Sequence, residues 1–265
     1  MSGTQHAAHD AISMNFNGPA VLGSDLARAS RPLLIGLDID GVLSPLVDHA
    51  DDARLLPGVA DVLERLLVIE GVTAAAVSGR ALASMRTFGL PDSMTLVGSH
   101  GMEASNQPFR PLDADERDRL DHLITLADRA AAAAGDGAWV EHKQASVAVH
   151  TRLADPVDGP AALTRLAIDA EAVDGAAVKP GSNVLELFTR HASKGTAIAA
   201  LATESAAACT VFIGDDLTDE EAFAVLGDRD VAIKVGTAPT IATRRLRDPA
   251  AVLEFLTAFT DACEP

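Results

Sequence analysis

Short apolar segments alternate with helix patterns through most of this 265-residue sequence. Five of these segments have the length of a strand: "LLIGLD" (33–38), "VTAAAVS" (72–78), "MTLVGS" (94–99), "CTVFIGDD" (209–216) and "DVAIKVG" (230–236). Helix patterns separate them, for example "PGVADVLERLLVIEG" (57–71), in which apolar residues recur at helical spacing. Apolar strands joined through helices are typical of a parallel sheet that is covered on both faces. The sequence therefore predicts an α/β fold with a doubly wound, mostly parallel sheet.

The middle of the chain has a different pattern, in which a helix is followed by two strands and the unit then occurs again. A helix pattern at about 113–134 precedes "AWVEHK" (138–143) and "SVAVHTR" (146–152), and a second helix pattern precedes two further strand-like segments. This doubling predicts an α+β domain inserted between two halves of the sheet. The predicted divisions are an N-terminal arm that is either mobile or packed as an extra turn (1–30), a core (31–103 and 189–265) and the inserted domain (about 104–188).

The composition argues against several classes of protein. No apolar run is long enough to cross a bilayer, and the first thirty residues lack the basic start and apolar stretch of a secretory signal. Two cysteines cannot form a disulfide framework, so we predict a cytoplasmic protein. The net charge of −17 argues against nucleic acid or an anionic membrane as the main partner. An anionic ligand would need local positive charge, either from a metal ion or from placed Lys and Arg side chains.

Acidic residues follow two of the predicted strands directly. Asp38 and Asp40 follow the first strand, and Asp215, Asp216 and Asp219 follow the strand at 209–214. The carboxyl ends of parallel strands carry the ligand sites of doubly wound folds, so the two groups should converge. Two carboxylates about 4 Å apart repel by roughly 4 kcal/mol at an effective dielectric constant near 20, which favours a bound cation. Oxygen ligands without His or Cys indicate Mg²⁺, whereas a single Asp-x-Asp could also be a solvated loop end.

Two further positions could bind an anion. In "VSGR", Ser78 and Gly79 follow the next predicted strand, where a hydroxyl group and the amides of a helix start can hold phosphate. A lone Ser-Gly is also an ordinary helix cap. Lys194 in "HASKGTA" begins another predicted helix and could balance a phosphate charge, although a lysine there is commonly just exposed.

These four signals occur in the order Asp-x-Asp-Gly, Ser, Lys and Gly-Asp-Asp-x-x-Asp, and the set resembles the haloacid dehalogenase superfamily of phosphatases. The resemblance implies a Rossmann-like catalytic core with an inserted cap domain. It also implies that Asp38 attacks phosphorus to give an aspartyl phosphate, and that Asp40 protonates the leaving oxygen and then activates water.

The same resemblance implies the ligands of the metal ion and of the phosphate. Mg²⁺ would be held by Asp38, the backbone carbonyl of Asp40 and Asp215, with Asp219 helping through water or through Lys194. The phosphate-binding groups would be Ser78, Gly79 and Lys194.

The inserted domain narrows the resemblance to trehalose-6-phosphate phosphatases. The stretches that carry this likeness are "GSHG" (98–101), "EHKQAS" (141–146), "HTR" (150–152) and "KPGSNVLELF" (179–188). The likeness implies that Glu141, Lys143 and Glu186 grip the sugar hydroxyls through charge-assisted hydrogen bonds. Strand alternation places residues 141 and 143 on one face and His142 on the other.

Arg80 and His100 are further candidates for substrate binding. His100 could equally be a structural histidine before a turn glycine, and Glu141 and Lys143 could be an exposed charge pair on a sheet face. Arg80, His150, Arg152 and Lys179 are weaker candidates than His100.

The resemblance implies a Mg²⁺-dependent phosphatase that hydrolyses a small sugar phosphate, trehalose 6-phosphate, to trehalose and phosphate. A related phosphatase acting on a sucrose phosphate or a glycosyl-phosphoglycerate is the alternative within enzymes. From another class, the chain could be a sugar-phosphate sensor without turnover.

Overall fold

The computed structural model describes residues 16–47 and 52–264. Eleven strands are found there: β1 (Leu33–Leu37), β2 (Val72–Val77), β3 (Thr95–Gly98), β4 (Glu103–Ala104), β5 (Trp139–His142), β6 (Ser146–His150), β7 (Ala177–Gly181), β8 (Val184–Phe188), β9 (Cys209–Gly214), β10 (Val231–Val235) and β11 (Arg244–Leu246). The α-helices of the same residues are α1 (Pro19–Leu26), α2 (Val59–Leu67), α3 (Leu82–Met85), α4 (Ala114–Ala134), α5 (Asp158–Glu171), α6 (Lys194–Glu204), α7 (Leu217–Phe223) and α8 (Pro249–Cys263).

The larger sheet has seven strands in the order β11-β10-β9-β1-β2-β3-β4, and only the β3–β4 pair is antiparallel. Every residue of the central strand β1 is buried. One face of the sheet packs on α2 and α8 through residues such as Val62 and Phe255, and the other packs on α6 and α7 through Ile198 and Phe223. The predicted doubly wound, mostly parallel sheet is confirmed.

The smaller sheet is antiparallel, in the order β5-β6-β8-β7. One of its faces packs on α4 and α5 in a separate hydrophobic cluster that includes Val147, Val149, Leu185 and Leu187. Because side chains alternate along a strand, the opposite face carries the residues between these apolar ones. We call it the polar cap face, and it includes Trp139, Glu141, Ser146, His150, Lys179 and Glu186. An inserted α+β unit is therefore present, as predicted. Its boundaries at 104–188 and those of the core stay predictions.

The second half of the predicted N-terminal arm is a helix, α1, that packs on α8. The approach is close: a Cβ on Gly23 would overlap the backbone carbonyl of Phe255. The first fifteen residues of the arm lie outside the described residues.

Sequence reading missed three elements, α1, β4 and β11. The two strands have two and three residues, too few to show a period, and both lie at edges of the large sheet. Among residues 16–47 and 52–264, no helix is long and apolar enough to cross a membrane.

Candidate active site

The central strand of the large sheet delivers Asp38 to its carboxyl end. The backbone N–H of Asp38 donates to the carbonyl of Ile213 in β9 at 3.0 Å, so the strand pairing continues to this residue. The backbone N–H of Ile39 donates to Asp38 Oδ1 at 2.7 Å. Asp38 is only 4% exposed. Strand pairing therefore fixes the backbone of Asp38, and one backbone N–H holds its carboxylate, which is shielded from water.

The two acidic stretches converge at this point, as predicted. Carboxylate oxygens of Asp38, Asp215 and Asp219 lie within 4.8 Å of one another. Asp219 lies in the first turn of α7, where its Oδ2 accepts hydrogen bonds from the backbone N–H groups of Asp215 (2.8 Å) and Asp216 (2.9 Å). The helix start therefore folds the second acidic stretch around a fully buried carboxylate.

Lys194 is the cation of this cluster. It is the first residue of α6, it is 2% exposed, and its Nζ donates to Asp38 Oδ2 at 2.6 Å and to Asp219 Oδ1 at 2.7 Å. Burial acts to lower the pKa of this ammonium, but Asp219 and Asp38 outweigh burial and raise its pKa above the usual range. Lys194 is therefore charged at any physiological pH, and the alternative of a merely exposed lysine is excluded.

One ammonium does not balance three carboxylates. Burial raises the pKa of Asp38 well above its usual value; Lys194 opposes this, and Asp219 and Asp215 add to it. Burial, followed by the charge of Asp219, raises the pKa of Asp215 to about 7. The cluster therefore has an excess of negative charge that a proton or a cation would relieve.

Asp40 is held by an arginine and not by the acidic cluster. Arg80 donates from Nε to Asp40 Oδ2 at 2.6 Å and from its terminal nitrogen to Oδ1 at 2.7 Å, which is a bidentate pair. The guanidinium also lies 4.7 Å from the ring centre of Phe88. The backbone N–H of Arg80 donates to the hydroxyl of the buried Ser78 at 3.2 Å. Arg80 thus joins the loop after β2 to the loop after β1.

The polar cap face meets the core at Gly79. The ammonium of Lys143 lies 3.4 Å from the carbonyl of Gly79 and 3.0 Å from the carboxylate of Glu186. His100 packs against Gly79, where an added Cβ would lie 2.7 Å from the imidazole ring. The Nε2 atom of His100 lies 3.8 Å from Glu186 Oε2. Four of the predicted site residues therefore come together across the boundary between the sheets.

Glu141 is also on the polar cap face, but its contact is with the cap itself. Its Oε2 lies 2.9 Å from Nε2 of His150. Hydrogen bonding to His150 is the main cause that lowers the pKa of Glu141, against burial and with further help from Lys143 and Arg80.

Two residues that support the site were not singled out from the sequence. Ser146 donates to Glu186 Oε1 at 2.7 Å and so orients that carboxylate. Glu103 accepts from the hydroxyl of Ser99 at 2.6 Å, beside His100, in a turn where both Ser99 and His100 have positive φ. Ser146 stands in the quoted "EHKQAS" stretch, whereas nothing in the sequence marks Glu103.

The fold is shared with solved structures. The C-terminal domain of a Candida albicans trehalose-6-phosphate phosphatase superimposes with a TM-score of 0.77 at 19% identity, covering 93% of this chain and 98% of that chain. A haloacid dehalogenase-like hydrolase from Bacillus subtilis superimposes with a TM-score of 0.59 at 15% identity, covering 84% and 98%. The chain has a haloacid dehalogenase-like fold.

Sequence comparison defines the family. The family model described as trehalose-phosphatase matches residues 36–250. A trehalose-6-phosphate phosphatase of Escherichia coli (strain K12) is 30% identical over 230 residues, which cover 86% of each chain. The chain belongs to the trehalose-phosphatase family.

A second relative is much longer than this chain. An uncharacterized glycosyl hydrolase of Mycobacterium tuberculosis (strain CDC 1551 / Oshkosh) is 35% identical over 250 residues, which cover 87% of this chain. The chain spans only 18% of the length of that relative.

Proposed function

We propose that this protein is a phosphatase that hydrolyses trehalose 6-phosphate to trehalose and phosphate. The observation that carries the proposal is the buried Asp38 carboxylate, held by Lys194 below the polar cap face on which Lys143 and Glu186 lie beside Gly79. The first set of groups suits phosphate chemistry and the second suits a hydroxyl-rich ligand. Membership of the trehalose-phosphatase family supports the choice of sugar.

In the proposed reaction, Asp38 is the nucleophile. One carboxylate oxygen forms a bond to phosphorus while the bond from phosphorus to the sugar oxygen breaks, which gives an aspartyl phosphate. The fixed backbone around Asp38 suits this role because a nucleophile must stay aligned with the bond that breaks. Lys194, together with Ser78 and Gly79, would bind the phosphoryl oxygens as their charge redistributes.

Asp40 would act as general acid and then as general base. It gives its proton to the departing sugar oxygen, and its carboxylate afterwards takes a proton from the water that attacks phosphorus. That attack releases phosphate and restores the Asp38 carboxylate. In the structure Arg80 donates to both oxygens of Asp40, so one of these contacts must open for Asp40 to carry the proton, while the other keeps the carboxyl group oriented. In this proposal Arg80 therefore positions Asp40, in addition to its predicted role in binding substrate.

The acidic cluster fits Mg²⁺. Its donors are carboxylate oxygens without His or Cys, and burial, helped by the neighbouring carboxylates, raises the pKa values of Asp38 and Asp215. Asp38 and Asp215, with the backbone carbonyl of Asp40, would hold the ion, and Asp219 would assist them. When bound, the ion supplies positive charge that offsets the carboxylates and the phosphoryl oxygens.

The polar cap face would bind the sugar. Lys143 and Glu186 offer a donor and an acceptor to hydroxyl groups, and Ser146 fixes the carboxylate. Glu141 adds a second carboxylate on the same face, and His100 closes the side next to Gly79.

A cytoplasmic location remains a prediction from the cysteine content.

Phosphate release from a panel of substrates tests the proposal. With Mg²⁺, we expect strong preference for trehalose 6-phosphate over glucose 6-phosphate, sucrose 6-phosphate and an aryl phosphate, and loss of activity on chelation. Preference for another sugar phosphate would support the proposed catalytic chemistry and contradict the choice of trehalose 6-phosphate as substrate. Binding of trehalose 6-phosphate without release of phosphate would favour the sensor.

The mechanism makes a prediction for Asp38. Asp38→Asn keeps the shape of the side chain but removes the nucleophilic carboxylate, so phosphate release should fall by at least about 1,000-fold. Binding of trehalose 6-phosphate, measured by calorimetry, should persist.

Asp261→Asn is the matched control for that variant. Asp261 is a well-exposed residue of α8 whose ion pair with Arg65 lies on the surface, so its loss should leave turnover unchanged. Near-normal activity of Asp38→Asn would rule out the aspartyl phosphate.

A further inference from the structure

The polar cap face carries an aromatic residue that the mechanism does not use. Trp139, the single tryptophan of the chain, begins β5 and is 43% exposed. Its indole stacks on the imidazole of His150, with ring centroids 4.5 Å apart and an interplanar angle of 3°. The two residues are direct cross-strand partners. The imidazole thus covers one face of the indole, and the partly exposed indole adds an aromatic surface to the polar cap face.

Strand alternation aligns Trp139 with the proposed sugar ligands. Residues 139, 141 and 143 share one face of the chain, and Lys143 at the far end reaches the carbonyl of Gly79. At a rise of about 3.3 Å per residue, four residues place Trp139 roughly 13 Å along the strand from Lys143. The face therefore presents an ammonium, a carboxylate and then an indole, in order of increasing distance from the phosphate chemistry.

One contact holds the aromatic pair, and a second joins the neighbouring end of the cap to the core. Glu141 fixes the His150 ring at 2.9 Å, and this ring in turn sets the plane of the indole. Two residues after His150, Arg152 donates to the backbone carbonyl of Val47 at 3.2 Å. Val47 belongs to the loop that follows the Asp38 and Asp40 motif. The Trp139 end of the cap face therefore lies across from the loop that borders the catalytic groups.

We propose that Trp139 is a specificity-determining residue that binds the sugar ring distal to the phosphate. The apolar C–H face of a pyranose matches the exposed indole, while its hydroxyl groups reach Glu141 beside it. A sugar phosphate with one ring, anchored by its phosphate near Asp38, would end before Trp139. This inference rests on the proposed function, because it assumes a disaccharide phosphate in that site.

Intrinsic fluorescence gives a direct test, since Trp139 is the only indole in the protein. In Asp38→Asn, trehalose 6-phosphate should shift or quench the emission, and glucose 6-phosphate should do so much less. Trehalose 6-phosphate that binds by calorimetry without changing the emission would overturn the role of Trp139 alone. Failure of a folded protein to bind it at all would overturn the proposed function, and this inference with it.

Affinity and kinetics give a second test. Trp139→Ala should weaken the binding of trehalose 6-phosphate to Asp38→Asn about fivefold, since an aromatic contact contributes about 1 kcal/mol. In the active enzyme, the ratio of kcat/KM for trehalose 6-phosphate to that for glucose 6-phosphate should fall by a similar factor. Trp139→Phe should recover most of the loss.

His142→Ala is the control, because His142 lies on the same strand with its side chain on the opposite face. It should leave that ratio of kcat/KM unchanged. Equal ratios in Trp139→Ala and in the parent enzyme, with trehalose 6-phosphate still hydrolysed, would overturn the inference and leave the proposed function standing.

Discussion

At the scale of single residues, His100 is buried neutral among positive charges. Burial, followed by the charges of Lys194, Lys179 and Lys143, lowers the pKa of His100 to about 2. Its Nδ1 is buried without a hydrogen-bond partner in the structure. His100 also has φ 56°, in the left-handed region, where Asn is among the better tolerated residues. The side chain thus costs stability in acid without any strong contact to offset that cost.

This environment predicts how stability depends on pH. An unfolded histidine takes up a proton below about pH 6.5, whereas His100 in the folded chain stays neutral, so stability is lost as the pH falls below 6.5. His100→Asn removes the titratable imidazole, and Asn can adopt the left-handed backbone conformation at this position. When the pH falls from 7 to 5.5, the free energy of unfolding of this variant should decrease by about 1 kcal/mol less than that of the parent protein.

Urea denaturation at the two pH values measures this difference. Equal losses in His100→Asn and in the parent protein would show that the folded chain protonates His100 after all.

At the scale of elements, the loop after β1 depends on one glycine. Gly41 has φ 73°, and a Cβ at this position would overlap the carboxylate of Asp215. The loop therefore reaches the end of β9 only because residue 41 lacks a side chain. Its neighbour Asp40 is held in the same turn, where the carbonyl of Ser44 accepts from the N–H of Gly41 at 2.8 Å.

Gly41→Ala should abolish most of the activity. The substitution adds left-handed strain of about 1 kcal/mol and also displaces Asp215 from the acidic cluster. We expect kcat/KM for the preferred sugar phosphate to fall by at least about 100-fold, as misplacement of catalytic groups by about 1 Å does.

Gly89→Ala is the matched control. Gly89 has the same φ of 73°, but no atom lies within 4 Å of an added Cβ. Gly89→Ala should have a lower free energy of unfolding in urea denaturation, because of the left-handed strain, and it should keep its activity. Similar activities in the two variants would contradict the role of the close approach.

At the scale of the whole molecule, the cap is joined to the core by polar contacts that lie around the site. The ammonium of Lys179, on the polar cap face, lies 2.7 Å from a carboxylate oxygen of Glu221 in α7. Lys143 reaches Gly79, and Arg152 reaches Val47, from the same side of the cap. The cap therefore contacts the core at α7, at the loop that carries Gly79 and at the loop that carries Val47.

A double-mutant cycle tests whether the Lys179–Glu221 pair contributes to activity. Lys179→Met and Glu221→Leu should each lower kcat/KM several-fold, because either change loosens the contact between cap and core. The double variant should be hardly worse than either single one, with a coupling energy of about 1 kcal/mol. Additive losses would show that the two side chains act separately.

The sequence predicted the fold class and the acidic cluster for a physical reason. Strands and helices are encoded locally, in the period of apolar residues, and the carboxyl ends of parallel strands always meet at one edge. Asp38, Asp215 and Asp219 could therefore be assigned to one acidic cluster from their positions alone. The short strands β4 and β11 were not predicted because two or three residues define no period.

Only the tertiary structure decided which side chains pair with each other. Lys194 and Asp38 are 156 positions apart, and Arg80 and Asp40 are 40 apart, so no local pattern links them. Alternation placed Glu141 on the correct face, but it could not show that His150 is its partner. These pairs depend on how distant strands, loops and helices pack against one another, and that arrangement follows from packing of the whole chain rather than from any short segment.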